Sequence, residues 1–177
     1  MVHTLYDHKW MDLEEDSNGE AFVKMGNDAV MIAAVTENNE VLLIREKSIA
    51  YHRDMLSLPT GAVEENEPPE VTANRELQEE TGYRAANIQY LATLHPSIKY
   101  MEWQCHVYLA RNLQESPLEP DETSPITVEP LTMNALDFAI DSGRLSDSTA
   151  VAALYLVNKQ LTREQQNRFW KALFVSR

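Results

Sequence analysis

The sequence predicts a mixed α/β domain in which a largely apolar sheet is covered by helices. Three observations predict it. Apolar runs of strand length alternate with turn-forming clusters through much of the chain, helical spacing takes over beyond residue 134, and an acidic, proline-led helix interrupts the strands. The length of 177 residues suits one domain with a sizeable core, so 1–177 is read as a single domain and 1–27 as an N-terminal extension.

The elements follow in order. Residues 28–35 (DAVMIAAV) form an apolar run of strand length, Glu37-Asn38-Asn39-Glu40 supplies a turn, and Val41 to Arg45 forms a second strand. Leu58-Pro59-Thr60-Gly61 reads as a strand end turning into the acidic segment. Ile88 to Leu94 and Trp103 to Ala110 are two further strands, joined by a connection that carries Pro96 and Lys99. Gln114 to Pro125 is polar and contains Pro117, Pro120 and Pro125, which marks a loop. Ile126 to Leu131 is the last core strand. Asn134 to Ser142, Asp147 to Leu161 and Thr162 to Phe174 have helical spacing, with Gly143 stopping the first, so 147–177 is read as C-terminal helices.

The acidic helix carries the chemistry. Pro68 and Pro69 suit a first helical turn, where a missing N–H costs nothing; Asn66 is the expected N-cap and Gly82 the expected left-handed C-terminal residue. Val71, Ala73, Leu77 and Thr81 make only a modest apolar stripe, so the helix is partly wet. Glu76, Glu79 and Glu80 stand at i, i+3 and i+4, which turns their carboxylates to one face. Like charges so close repel unless a cation intervenes. Clustered hard oxygen donors suit Mg2+ or Mn2+, which keep waters and bind substrate phosphates as well.

Composition narrows the partners. The net charge is −13, from 15 basic and 28 acidic residues, which argues against non-specific nucleic-acid binding, since that needs Lys and Arg to displace counterions. Anionic substrates stay accessible if divalent cations bridge them. Cys105 is alone, so no intrachain disulfide forms, and it reads as a small buried hydrophobe. The first residues lack a basic region followed by an apolar run, and no stretch approaches a membrane span; a cytoplasmic protein without a membrane partner is expected.

The segment Gly61 to Tyr83, GAVEENEPPEVTANRELQEETGY, matches the pattern G-x5-E-x7-R-E-U-x-E-E-x-G-U, with Leu77 and Tyr83 in the apolar (U) slots. It resembles the Nudix box, and the resemblance implies a metal-dependent pyrophosphohydrolase with an α/β/α sandwich. It implies Glu76 and Glu80 as the main metal ligands, with Glu79 as a third ligand or as the partner that orients Arg75. It also implies that the Thr60 carbonyl completes the coordination, that Gly61 allows close backbone approach, and that Glu67 and Gly82 play structural parts.

Beyond the box, the strand order, the N-terminal segment and the tail Ala139 to Asp147 resemble the branch that cleaves ADP-ribose and nucleotide sugars. In that branch a loop glutamate acts as general base, which points to Glu122, with Glu119, Asp121 and Glu129 as alternatives. The branch also implies N-terminal strands and a homodimer. Two departures leave the sugar open: Arg45-Glu46-Lys47-Ser48 keeps only the first arginine of the branch's R-Q-x-R, and Lys99 stands where a proline is usual. Arg45, Arg53, Arg84 and Lys99 are candidates for phosphate or ribose contacts, since cationic side chains, guanidinium forks above all, suit phosphate oxygens. His52 and His95 lie near strand ends. Trp103, Tyr100 and Tyr51 are able to stack on a base, whereas Trp10, Phe169 and Trp170 read as packing or interface residues.

These features predict a Mg2+-dependent enzyme that splits a nucleoside diphosphate sugar into a nucleoside monophosphate and a sugar phosphate. The rivals are a housecleaning enzyme acting on nucleoside triphosphates or dinucleoside polyphosphates, and a sensor of nucleotide sugars without catalysis. Product identity separates the first; the complete set of box carboxylates weighs against the second.

Overall fold

The alternation along one apolar strand shows how the layers are built. In the computed structural model, which describes residues 2–120 and 124–175 (168–175 as backbone only), β4 (Ala29–Val35) is buried almost throughout. Met31 and Ala33 point into one core, while Val30, Ile32 and Ala34 point into another. A strand buried on both faces must have a layer on each side, and helices supply both.

Among the described residues, β4 lies within a sheet ordered β11 (Thr127–Thr132), β5 (Glu40–Ser48), β4, β10 (Cys105–Glu115), β8 (Tyr83–Leu94), with β6 (Arg53–Ser57) on β5 and β7 (Thr60–Ala62) on β4. The β4–β10 pair is parallel and the other pairs are antiparallel, so the sheet is mixed. One face packs against α2 (Met133–Asp141) and α3 (Ser148–Val175) through Leu136, Ala139, Ala153, Leu154 and Val157. The other packs against α1 (Pro69–Thr81) through Ala73 and Leu77. A smaller sheet, β1 (His3–Asp7), β2 (Met11–Glu15), β3 (Ala21–Met25) and β9 (Met101–Glu102), is built by the N-terminal segment and the connection after β8. Among the described residues no helix is long and apolar enough to cross a membrane.

Several boundaries differ from the sequence reading for identifiable reasons. β8 starts at Tyr83 rather than Ile88, because its antiparallel register with β10 runs from Cys105–Leu94 to Glu115–Tyr83 and carries the weakly apolar residues 84–87 with it. Residues 147–161 and 162–174 form one helix, α3, rather than two. No glycine or proline interrupts it, Gln160 binds Glu164 across the expected break, and Arg111 on β10 holds the same carboxylate. Asn66 is not the N-cap of α1. Proline at N1 drives the residue before it out of the helical region, so Pro68, at φ −63° and ψ 136°, occupies the cap without a side-chain bond. Val71, read as part of the apolar stripe, is exposed, and Thr72 takes the buried place.

Candidate active site

Helix α1 is held at both ends and in the middle, which fixes where its carboxylates point. Asn74 exchanges two hydrogen bonds with the Ala85 backbone, donating from Nδ2 at 3.0 Å and accepting at Oδ1 at 2.9 Å. Gln78 Nε2 donates to the Ser116 carbonyl at 2.8 Å, tying the helix to the start of the polar, proline-containing loop that follows β10. Gly82 ends the helix at φ 79°, a left-handed conformation that a side chain would strain, and its N–H returns to the Gln78 carbonyl.

Arg75 organises the acidic cluster. Its Nε and Nη2 donate to the two Glu67 oxygens at 3.3 and 3.1 Å, its Nη1 reaches Glu79 at 2.9 Å, and the same Nη1 lies 2.8 Å from Glu76. Thr72 Oγ1 adds a bond to Glu67 at 2.8 Å. The Arg75 hydrogen bond holds the Glu67 carboxyl below the usual carboxylate range, against an opposing push from burial. Burial also works against the Arg75 charge. Bonding to Glu67 and the nearby charges of Glu76, Glu67 and Glu79 outweigh it, so its pKa is raised.

Glu76 and Glu80 are 4% and 6% exposed, which is unusual for carboxylates and demands compensation. Glu80 accepts the Thr60 N–H at 2.9 Å. β7 pairs with β4 through its neighbours, Ile32 N–H bonding the Pro59 carbonyl and Val63 N–H the Asp28 carbonyl. In such a strand a residue's N–H and C=O share one side, so the Thr60 carbonyl faces away from β4 as its amide does. Thr60 Oγ1 meanwhile donates to the Val30 carbonyl at 2.7 Å. Gly61 lies against the Glu76 carboxyl, and a Cβ there would overlap that group.

These residues fit a divalent cation. Two buried carboxylates, a strand carbonyl and a glycine that leaves room for them form a hard-oxygen donor set. In the observed rotamers, among the described residues, no three acidic, His or Cys side chains already form a closed ligand set, because the carboxylates are turned toward Arg75 and the Thr60 amide.

The other sequence candidates are dispersed. Arg45 is paired with Glu129 at 2.6 Å, and Arg144 binds the same carboxylate from the loop after α2. Arg53 is exposed at the start of β6. Arg84 lines a groove on the outer side of α1 with Glu70, Arg75 and Gln78. Lys99 lies over the Tyr100 ring at 5.1 Å, in a cleft with Asp16, Glu20 and Glu102. Asp121 and Glu122 lie outside the described residues; Glu119 is exposed and described.

A cavity of about 450 Å³ adjoins the box, walled on one side by Thr60, Gly61 and Ala62 and on the other by Lys9, Trp10, Met25 and Trp103. Larger clefts of about 660 and 690 Å³ lie at the N-terminal sheet and outside α1, but neither touches β7. The sequence marks Trp10 as a packing or interface residue, and it stands in the wall of this cavity. It lies some fifty positions before Gly61, and only the folding of the N-terminal sheet onto the core places it in this wall. Lys9 Nζ lies over its ring at 4.2 Å.

Comparison with known proteins agrees with this geometry. The NUDIX domain model matches residues 25–153. An ADP-ribose pyrophosphatase of Bacillus subtilis (strain 168) is 31% identical over 141 residues, covering 78% of this chain and 76% of that protein. A methanol dehydrogenase activator of Bacillus methanolicus is 30% identical over 131 residues, covering 72% and 71%. A solved structure described as an ADP compounds hydrolase superposes with a TM-score of 0.81 at 25% identity, over 93% of each chain.

Proposed function

Because the chain belongs to the Nudix family and is a Nudix hydrolase, we propose that it cleaves the pyrophosphate of nucleoside diphosphate sugars, ADP-ribose or a nucleotide-hexose, with Mg2+ and with Mn2+ as a substitute. The observation that carries this reading is the cavity shared by β7 and the N-terminal sheet: a space of about 450 Å³ with tryptophan in its wall adjoins the strand that faces the buried carboxylates. A substrate with a nucleoside at one end and a pyrophosphate in the middle suits that arrangement. The similar proteins named as ADP-ribose and ADP-compound hydrolases support it.

In this reading Glu76, Glu80 and the Thr60 carbonyl would hold the cation, whose charge would offset that of the phosphates and of the transition state. Glu79 orients Arg75, and Arg75 with Glu67 locks the loop that carries Gly61. Glu122 takes the proton of the attacking water as a phosphorus–oxygen bond of the bridge breaks. The products are a nucleoside monophosphate and a sugar phosphate. The enzyme acts as a homodimer; exposed Leu5, Tyr6 and Met11 on β1 and β2 are the apolar surface a second copy covers.

Chromatographic identification of the products of ADP-ribose tests the reading. AMP and ribose 5-phosphate in equal amounts are expected; release of free adenine, or no reaction with any nucleotide sugar, contradicts it.

A further inference from the structure

We propose that Asp28, oriented by His106, reads the exocyclic amino group of the nucleobase bound in the cavity between Trp10, Trp103 and Gly61. The inference rests on the reading of that cavity as the nucleoside site.

Asp28 lines the cavity at the entrance of β4. Its backbone is fixed, because its carbonyl accepts the Val63 N–H at 2.8 Å and so joins it to the strand that carries Gly61. Its side chain is 42% exposed, so the fold does not require burial of this charge. One oxygen, Oδ2, lies 3.5 Å from His106 Nε2, and an ionised carboxylate with one such neighbour keeps acceptor capacity for a further donor.

His106 is itself anchored. It sits on β10 opposite Val30 and Thr93, and its Nδ1 lies 2.9 Å from Thr93 Oγ1, which lies 2.7 Å from the Tyr90 hydroxyl. The tautomer with its proton on Nε2 presents a donor to the Asp28 carboxylate. Thr93 then donates to Nδ1 and accepts from Tyr90, and every member of the series has a compatible role. The imidazole ring is thereby held in the orientation that faces Asp28.

An ionised carboxylate only accepts hydrogen bonds. A base with an amino group at its edge supplies a donor, whereas a base with an oxo group at the same position presents an acceptor and meets an unfavourable contact. Trp10 and Trp103 offer aromatic surface to the ring, and Asp28 offers a polar group to its edge. Asp28 is therefore the specificity residue, and His106 a positioning residue that acts through it.

The test is calorimetric binding of AMP, IMP and 2′-deoxy-AMP to the full chain. Wild type is expected to bind AMP about tenfold more tightly than IMP, the scale of one charge-assisted hydrogen bond. Asp28→Ala should abolish that preference, and Asp28→Asn, which adds a donor, should abolish or invert it. His106→Ala should weaken the preference, and His106→Gln, which keeps an N–H toward Asp28, should restore part of it. A melting curve for each variant shows whether it is folded, and the two Asp28 variants provide independent readings. Equal binding of AMP and IMP by wild type, no binding of either, a preference that survives in folded Asp28→Ala, or an Asp28-dependent loss for 2′-deoxy-AMP in place of IMP would each overturn the proposal. The reaction assay is separate: an enzyme that prefers triphosphates yet discriminates AMP from IMP through Asp28 refutes the nucleotide-sugar reading and leaves this one standing.

Discussion

Gly61 and Glu76 occupy adjoining space such that a Cβ on the glycine would overlap the carboxyl group of the glutamate. Gly61 has no left-handed backbone to accommodate, so the requirement is for space alone. The obstructed atoms are the far end of a flexible side chain, so a methyl group here displaces the carboxylate rather than the fold. Gly61→Ala should therefore lower turnover by roughly a hundredfold or more while the protein still melts in one cooperative transition. Near wild-type turnover would mean that the resting place of Glu76 is unimportant.

Glu80→Gln separates metal binding from folding. Turnover should fall by about two orders of magnitude or more. The metal-free protein should melt no lower than wild type, because Glu76, Glu79 and Glu80 share one helix face and removing a charge relieves their repulsion; the glutamine oxygen still accepts the Thr60 amide. Wild-type activity at limiting Mg2+ would contradict the ligand assignment.

The Glu67–Arg75 pair predicts a pH dependence of stability. The folded-state pKa of Glu67 lies below its ordinary 4.5, with the Arg75 hydrogen bond as the first cause. A depressed carboxylate contributes stability that is present above the unfolded pKa and lost as pH falls through the folded one. Arg75 stays charged throughout. Glu67→Gln should melt below wild type at neutral pH, and the difference should shrink as pH falls below 4.5. Parallel melting curves across that range would show that the pair contributes nothing.

How much of this was legible in the chain depends on the range of the interaction. The box was legible because its parts are local: Gly61, Glu67, Arg75 and the glutamates meet through helical spacing and a short loop. The central strand β4 was legible because residues buried on both faces leave a continuous apolar run. β1 and β2 were expected only through the resemblance, since residues as exposed as Leu5, Tyr6 and Met11 give no alternation to read. The Glu129 pairs with Arg45 and Arg144, and the arrival of Trp10 beside Gly61, depend on tertiary folding that no local pattern encodes.

Three loop and strand glutamates remain to be separated by kinetics. Glu122→Gln should lower kcat and kcat/KM together with little change in Mg2+ dependence, since proton removal from water matters only in the transition state. Glu119→Gln should be mild. Glu129→Gln should act mainly on stability, because it leaves Arg45 and Arg144 without their shared carboxylate. If Glu122→Gln proves the mildest of the three, the base is a neighbour or a box glutamate.

The central claim is the cleavage of a pyrophosphate that links a nucleoside to a sugar, and kcat/KM across a substrate panel tests it most directly. ADP-ribose, nucleotide-hexoses, nucleoside triphosphates and dinucleoside polyphosphates should be compared under one saturating Mg2+ condition, with phosphatase-coupled detection of the sugar phosphate and direct detection of pyrophosphate. The account predicts that ADP-ribose or a nucleotide-hexose is cleaved with a higher kcat/KM than any triphosphate. Dominant release of pyrophosphate from a triphosphate would contradict it and favour a housecleaning role.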